Sequence, residues 1–575
     1  MFDFSLHRES AIIFENEYLN FNDIRTRIDH AIALFQDKEI PAKKPIAVAM
    51  ERSPHLLITM LAALECGIPF FPVDLALPAD RIEYMLSDSG VHTVIKDPVN
   101  DYASSSFLLR SGDDPVIRSG AGDIHDIAYI LYTSGTTGNP KGIEITRKGL
   151  FHFFESISQA INFSTKKRIA CLTTVSFDIF FLESILPLYK GMTVVLANEN
   201  EQRNPRSIAE LIEKNDVDMI QLTPSRMRQL LNQDQELSCL KNVTDILIGG
   251  EAFPQSLLHT LQEKTKANIF NLYGPTEATI WASVSDLTCK NEADIGTPLK
   301  NTEIHILNED LNDVWGGNRG EICISGDSLA KGYINNDKLT AEKFVFTKIK
   351  GRTARVYRTG DLGRRMPDGC YEYLGRIDNQ IKIRGYRVEP EEIEACMEQF
   401  PGITRVLAAA LPVNEGALNN SSEMILEAFY TSEGDIDEDE LNEYLKDKLP
   451  SYMIPSRYCR VNEFAYTPNG KIDRQKVREP TKQKFPGELI KGLSGLSMVK
   501  KKAFEIITAD VNEKYRDKIT LETDMLAAGI DSIIIIKIIV SLEEEFNIKF
   551  DDEMLLSAAS SDIQAILDYV EEKAR

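Results

Sequence analysis

The chain has 575 residues, 43% hydrophobic, 8% aromatic and 27% charged, an ordinary globular composition that excludes a collagen-like, wholly disordered or disulfide-dense protein. A single core is outgrown at this length, and the usual domain size suggests about four domains. With 88 acidic against 65 basic residues and a formal charge of −23, the chain lacks the basic field that nucleic acid or anionic lipid requires, so neither partner is expected.

The opening MFDFSLHRES has an acid and no apolar run, so no secretory signal is expected. Between Lys44 and about Lys350, short apolar runs such as PIAVAM, TVVLAN, DILIGG and EICISG alternate with helical patterns. That alternation implies an α/β domain with buried sheets. Near Gly375 the chain turns very polar, and an α+β-like stretch follows to about Val477. EPTKQKFPGELIKG reads as a linker, and the remainder as amphipathic helices of a small all-α bundle. We therefore divide the chain into a core over 1–377, a small subdomain over 378–478, a linker over 479–495 and a bundle over 496–575. The longest apolar run, Ile533 to Leu542, is too short to span a bilayer and is broken by Lys537. The eight cysteines and eight histidines are scattered, without CxxC, HxxxH or HExxH pairing. This suggests free thiols in a reducing cytoplasm and no zinc site.

The strongest local signal is YTSGTTGNPKG, residues 132–142. Glycines and small hydroxyl residues let backbone N–H groups turn inward around phosphate oxygens. Thr133, Ser134, Gly135, Thr136 and Thr137 supply donors, and Lys141 supplies charge. The apolar IAYILY before it reads as the strand that delivers the loop. No GK[ST] completes a Walker A pattern.

This loop is followed in order by NLYGPTEATI, GEICISGDSLAKGYI, YRTGDL, GRIDNQIKIRGYRVEPEEIE and PNGKIDR, and preceded by LAALECGIPFFPVD. From about Leu19 to Val477 the chain resembles the adenylate-forming superfamily, in particular the adenylation domains of nonribosomal peptide synthetases. LNFNDI and LECGIPF depart from the family's early motifs without touching catalytic atoms. The resemblance implies a large α/β adenylation core, a small mobile α+β subdomain and ATP-dependent joining of a carboxylate to AMP with release of pyrophosphate. Such chemistry depends on positioning and charge neutralisation. It places Tyr273 on adenine, Thr276 at the α-phosphate, Glu277 on Mg2+, Gly250 and Glu251 at the adenine edge, Asp361 on the ribose hydroxyls, and Tyr373 and Arg376 beside them. Lys471 would bridge substrate carboxylate and α-phosphate. Asp378 would be the hinge whose rotation exchanges Lys471 for Lys382 before thioester formation.

Asp178, in SFDIFFLES, would pair with the ammonium of an amino acid. By resemblance, Ile179, Leu182, Gln221, Leu247, Gly249, Leu272, Ile280 and Trp281 would line the side-chain pocket. With Lys471, this series resembles the signature of glycine-activating domains, alanine and cysteine being the alternatives. LAAGIDSIIIIKIIVSLEEEF, residues 526–546, resembles a carrier-domain attachment site, with Ser532 receiving 4′-phosphopantetheine. The sequence GIDS stands where peptidyl carriers usually have GGxS. A phosphopantetheinyl transferase, condensation or tailoring enzymes acting in trans and an MbtH-like protein are the expected partners. The rival readings are a CoA ligase for a small carboxylic acid and a catalytically silent scaffold.

Overall fold

The computed structural model describes residues 10–41, 44–91, 93–96, 107–109, 126–135, 138–314, 316–383, 385–412, 424–465, 472 and 474, with scattered residues from 500 to 550 and the helix at 563–573. Two compact units result, Met1–Lys476 and Val477–Arg575.

The first unit is built on two large sheets. Among the described residues, one has nine strands, with a parallel centre formed by Thr193–Leu196, Arg168–Cys171, Met219–Leu222, Asp245–Gly249 and Asn268–Tyr273. These strands are nearly all apolar because helices cover both faces. The second sheet has seven strands and includes Ile127–Thr133 and Lys141–Thr146, which flank the glycine-rich loop as an antiparallel pair. Helices such as Pro54–Cys66 and Arg147–Ala160 pack against the sheets; the second is capped by the Thr146 hydroxyl, which accepts from Gly149 N–H. A third, antiparallel sheet contains Gly320–Gly326, Arg352–Arg365 and Tyr371–Arg376.

Beyond Arg376 come a hairpin, Ile381–Ile383 with Tyr386–Val388, the helix Pro390–Met397 and a three-stranded sheet of Ile403–Pro412, Met424–Ser432 and Arg457–Arg460. They share a separate apolar cluster around Ile393, Met397, Leu426, Leu441 and Leu445. This is the expected α/β core with a small α+β appendage. In the second unit, Phe504, Ile507, Ile538, Leu542, Ile563 and Leu567 form their own apolar core, closed by the helix Ile563–Lys573. No helix among the described residues is long and apolar enough to cross a membrane.

Candidate active site

The parallel strands bring distant residues into register. Gln221 lies beside Leu247, and Gly249 beside Leu272. The short helix Ile179–Glu183 adds Ile179 and Leu182. Ile280 and Trp281 enter from the turn after Thr276–Ala278, where Thr279 and Ile280 both have positive φ. All eight of these residues are buried or lack a side chain to expose. A Cβ on Gly249 would lie 2.6 Å from Trp281 Cη2, so the indole packs directly on this backbone.

Asp178 precedes the short helix but does not cap it. It is buried, and its Oδ2 has no hydrogen-bond partner among the described residues. Desolvation pushes this carboxyl up to about 6, although the Thr276 hydroxyl and the Ile179 and Ile280 amides act against it. Trp281 Nε1, Gln221 Oε1 and the Tyr129 hydroxyl are likewise buried without partners. Buried polar atoms are normally satisfied, so this concentration marks a place built for something else to bind.

A neighbouring cavity is lined by Gly250, Glu251, Asn271, Tyr273, Tyr373 and Lys382. Tyr273 donates to Asp361 Oδ2 at 2.6 Å, and its ring lies 6.4 Å from that of Tyr373. Arg376 Nη1 donates to Asp361 Oδ1 at 2.7 Å, while its Nε and Nη2 grip Asp378 at 2.6 Å each. Glu251 accepts from the Ser225 amide and hydroxyl, and burial raises its pKa. Lys382 is on the hairpin of the small subdomain, and burial lowers its pKa.

Glu277 is fully buried. Arg387 Nη1 donates to its two oxygens at 3.0 and 2.9 Å, and the Tyr333 hydroxyl donates to Oε1 at 2.7 Å. Burial opposes its charge, but Arg387 and then Lys141 hold its pKa down at about 2. The expected Mg2+ ligand therefore has a cationic partner already, and no cluster of three His, Cys, Asp or Glu suited to a metal occurs among the described residues. A Mg2+ ion bound through one carboxylate and the nucleotide's phosphates requires no such cluster.

The glycine-rich loop also has partners. Ser134 Oγ donates to the Arg387 carbonyl at 2.8 Å, Gly135 N–H donates to Glu392 Oε2 at 3.1 Å, and Lys141 Nζ lies 3.5 Å from Glu389 Oε1. Desolvation lowers the Lys141 pKa to about 8. Thr133 Oγ1 has no partner among the described residues. Thr136, Thr137, Lys471 and Ser532 lie outside the described residues. Sequence reasoning assigned no role to Arg387, Glu389 or Glu392. Their only signal was membership of the polar GYRVEPEEIE run.

A model of the AMP-binding enzyme family matches residues 6–334, and one of the phosphopantetheine attachment site matches 507–570. The chain is 36% identical over 469 residues to a dimodular nonribosomal peptide synthase of Bacillus subtilis (strain 168), covering 79% of this chain and 19% of that protein. It is 31% identical over 469 residues to tyrocidine synthase 1 of Brevibacillus parabrevis, covering 79% and 42%. It thus spans less than half the length of these relatives. Among solved structures, an artificially fused adenylation–PCP di-domain from Klebsiella oxytoca matches with TM-score 0.69 at 25% identity, over 79% of this chain and 91% of that one. The four-domain nonribosomal peptide synthetase holo-AB3403, bound to AMP and glycine, matches with TM-score 0.57 at 25% identity, over 98% and 41%. The chain belongs to the AMP-binding enzyme family, has nonribosomal peptide synthetases among its relatives, and carries a phosphopantetheine attachment region behind the enzyme.

Proposed function

We propose that the chain activates glycine with ATP and loads it onto its own carrier region at Ser532. In the first half-reaction a carboxylate oxygen of the amino acid bonds to the α-phosphorus, and pyrophosphate leaves. In the second, a thiol sulfur bonds to the acyl carbon, AMP leaves, and the thiol proton is released. Phosphopantetheine supplies that thiol. Asp178 holds the substrate ammonium, and the pairing further favours the charged form of its carboxyl. Asp361 offers its remaining lone pairs to the ribose diol, and Tyr273 and Tyr373 flank the base. Thr276 and Lys471 neutralise charge at the α-phosphate during the first step; Asp378 is the pivot that presents Lys382 for the second.

The observation that carries this reading is the unpartnered Asp178 Oδ2 beside a pocket filled by Trp281 packed on Gly249. A buried carboxylate needs a cation, and the filled pocket leaves little space for a side chain. The glycine bound to holo-AB3403 agrees with this choice. A phosphopantetheinyl transferase, condensation or tailoring enzymes in trans and an MbtH-like protein follow as partners, in the cytoplasm where those substrates are made.

ATP–pyrophosphate exchange across a panel of amino acids and small carboxylic acids tests the reading. Glycine-dependent exchange supports it. Preference for alanine or cysteine overturns the choice of substrate, and CoA-dependent turnover of acids lacking nitrogen overturns the function.

A further inference from the structure

The loop that carries Asp178 is stitched shut at its base by buried charges. The strand Arg168–Cys171 runs into residues 172–178 and then into the helix Ile179–Glu183. Glu183, at the end of that helix, is fully buried and turns back on the start of the loop. Its Oε2 accepts from the Leu172 and Thr173 amides at 2.7 Å each, and its Oε1 from the Thr173 hydroxyl at 2.6 Å. The carbonyls of the same two residues go to cations: Arg226 Nη1 donates to Leu172 O at 3.1 Å, and Arg52 Nη1 donates to Thr173 O at 2.6 Å. Arg52, itself buried, also donates to the Cys171 and Ala197 carbonyls and lies 5.3 Å from the centre of the Phe180 ring on the helix. All four backbone polar groups of Leu172 and Thr173 thus end on charged side chains. Asp74 holds the middle of the loop, its Oδ2 accepting from the Thr174 hydroxyl at 2.8 Å and the Ser176 hydroxyl at 3.0 Å.

A helix of five residues cannot hold itself, and Asp178 does not cap it. Burying Glu183 and Arg52 is costly, and apolar packing often stabilises a chain as well as buried charge does. What the charges add is direction, because each charge-assisted hydrogen bond fixes an angle as well as a distance. We propose that Glu183 is a positioning residue for Asp178: its grip on the Leu172 and Thr173 amides fixes how the unpartnered Asp178 Oδ2 meets the substrate ammonium. This rests on reading Asp178 as the partner of that ammonium. Glu183 touches no substrate and acts through the closed loop 172–183. Without the grip Asp178 drifts, and a misplacement of about 1 Å costs on the order of 100-fold. Tyr273 and Asp361, of the nucleotide site, stand on other strands and do not depend on it.

ATP–pyrophosphate exchange by the full chain, with glycine and ATP varied in turn, tests this. Glu183→Ala is expected to raise the glycine KM about tenfold and the ATP KM less than about threefold. Glu183→Gln still accepts from both amides through its one oxygen and donates to the Thr173 hydroxyl, so it is expected to stay within about twofold of the parent. In an Asp178→Asn background, Glu183→Ala is expected to lower kcat/KM for glycine less than about twofold, because the carboxylate it positions is already gone. Equal losses in both backgrounds, or an ATP KM that rises with the glycine KM, mark a merely structural residue and overturn the proposal; glycine exchange by the parent chain then still supports the functional reading. If Glu183→Ala fails to fold by circular dichroism, Thr173→Val removes a single donor and carries the same comparison, with an expected rise in glycine KM of about threefold that is absent from the Asp178→Asn background. Parent exchange with a different amino acid overturns the choice of glycine alone, and the variants are then compared on that amino acid. Exchange only with acids lacking nitrogen overturns both.

Discussion

Trp281 and Gly249 are in direct contact: the indole edge occupies the volume that any β-carbon at 249 would need. The two residues set the depth of the pocket together, since the ring can lie there only because position 249 has no side chain. Trp281→Ala removes this filling. Glycine-dependent exchange is expected to fall at least about tenfold while alanine and larger amino acids gain, since one methylene of fit is worth about 1–3 kcal/mol. Exchange profiles of parent and variant measure the shift. Gly249→Ala is expected to lose activity with all substrates and to lower thermal stability, because overpacking costs about 1–3 kcal/mol.

Asp178 gives a pH signature. Its carboxyl is raised to about 6 in the empty site, so it becomes protonated as pH falls through 6, before an ordinary aspartate would. The apparent KM for glycine is therefore expected to rise below pH 6. Asp178→Asn is expected to lose most exchange, more than about tenfold, and to show no such rise. The sign for stability is the reverse of the usual carboxylate. Because the folded-state pKa lies above the unfolded value, burial of the charge costs stability above pH 6, and the cost disappears as pH falls toward 4. Denaturation of the ligand-free chain at pH 4.5 and 7 measures the difference; Asp178→Asn should lessen this dependence.

On the proposed reading, Lys471 and Lys382 divide the two half-reactions. Lys471→Ala is expected to reduce glycine-dependent exchange about 100-fold or more while sparing transfer from preformed glycyl adenylate. Lys382→Ala is expected to spare exchange and slow transfer. Parallel assays of exchange and of radiolabelled glycine loading separate them; loss of both reactions in both variants would remove the division.

Ser532→Ala is expected to abolish the mass increase produced by a phosphopantetheinyl transferase and CoA, and with it covalent glycine loading, while exchange is kept. Intact-mass spectrometry before and after treatment reads this directly.

Local chemistry in the sequence was sufficient to locate the glycine-rich loop and the strand Ile127–Thr133 before it, because N–H-rich turns and apolar strands depend on neighbours in the chain. The pocket was legible only as a resemblance; why Gln221, Leu247, Gly249 and Leu272 belong together is a matter of strand register between segments far apart in sequence. The pairing of Glu277 with Arg387 was not legible. The residues are separated by 110 positions, Glu277 was expected to meet a metal cation rather than a side chain, and only the seating of the hairpin brings them together. The orphaned Asp178 Oδ2 was hidden for a related reason: whether a carboxylate finds a partner depends on the whole surrounding wall.

Arg376 extends one guanidinium to two acids, Asp361 of the sugar site and Asp378 at the start of the small subdomain. A single planar cation thus serves as both brace and messenger. On the proposed reading, a diol arriving at Asp361 makes Arg376 redistribute its hydrogen bonds, and the change is felt at once by Asp378, the proposed pivot. That reading needs no longer wire between nucleoside and pivot than this one side chain.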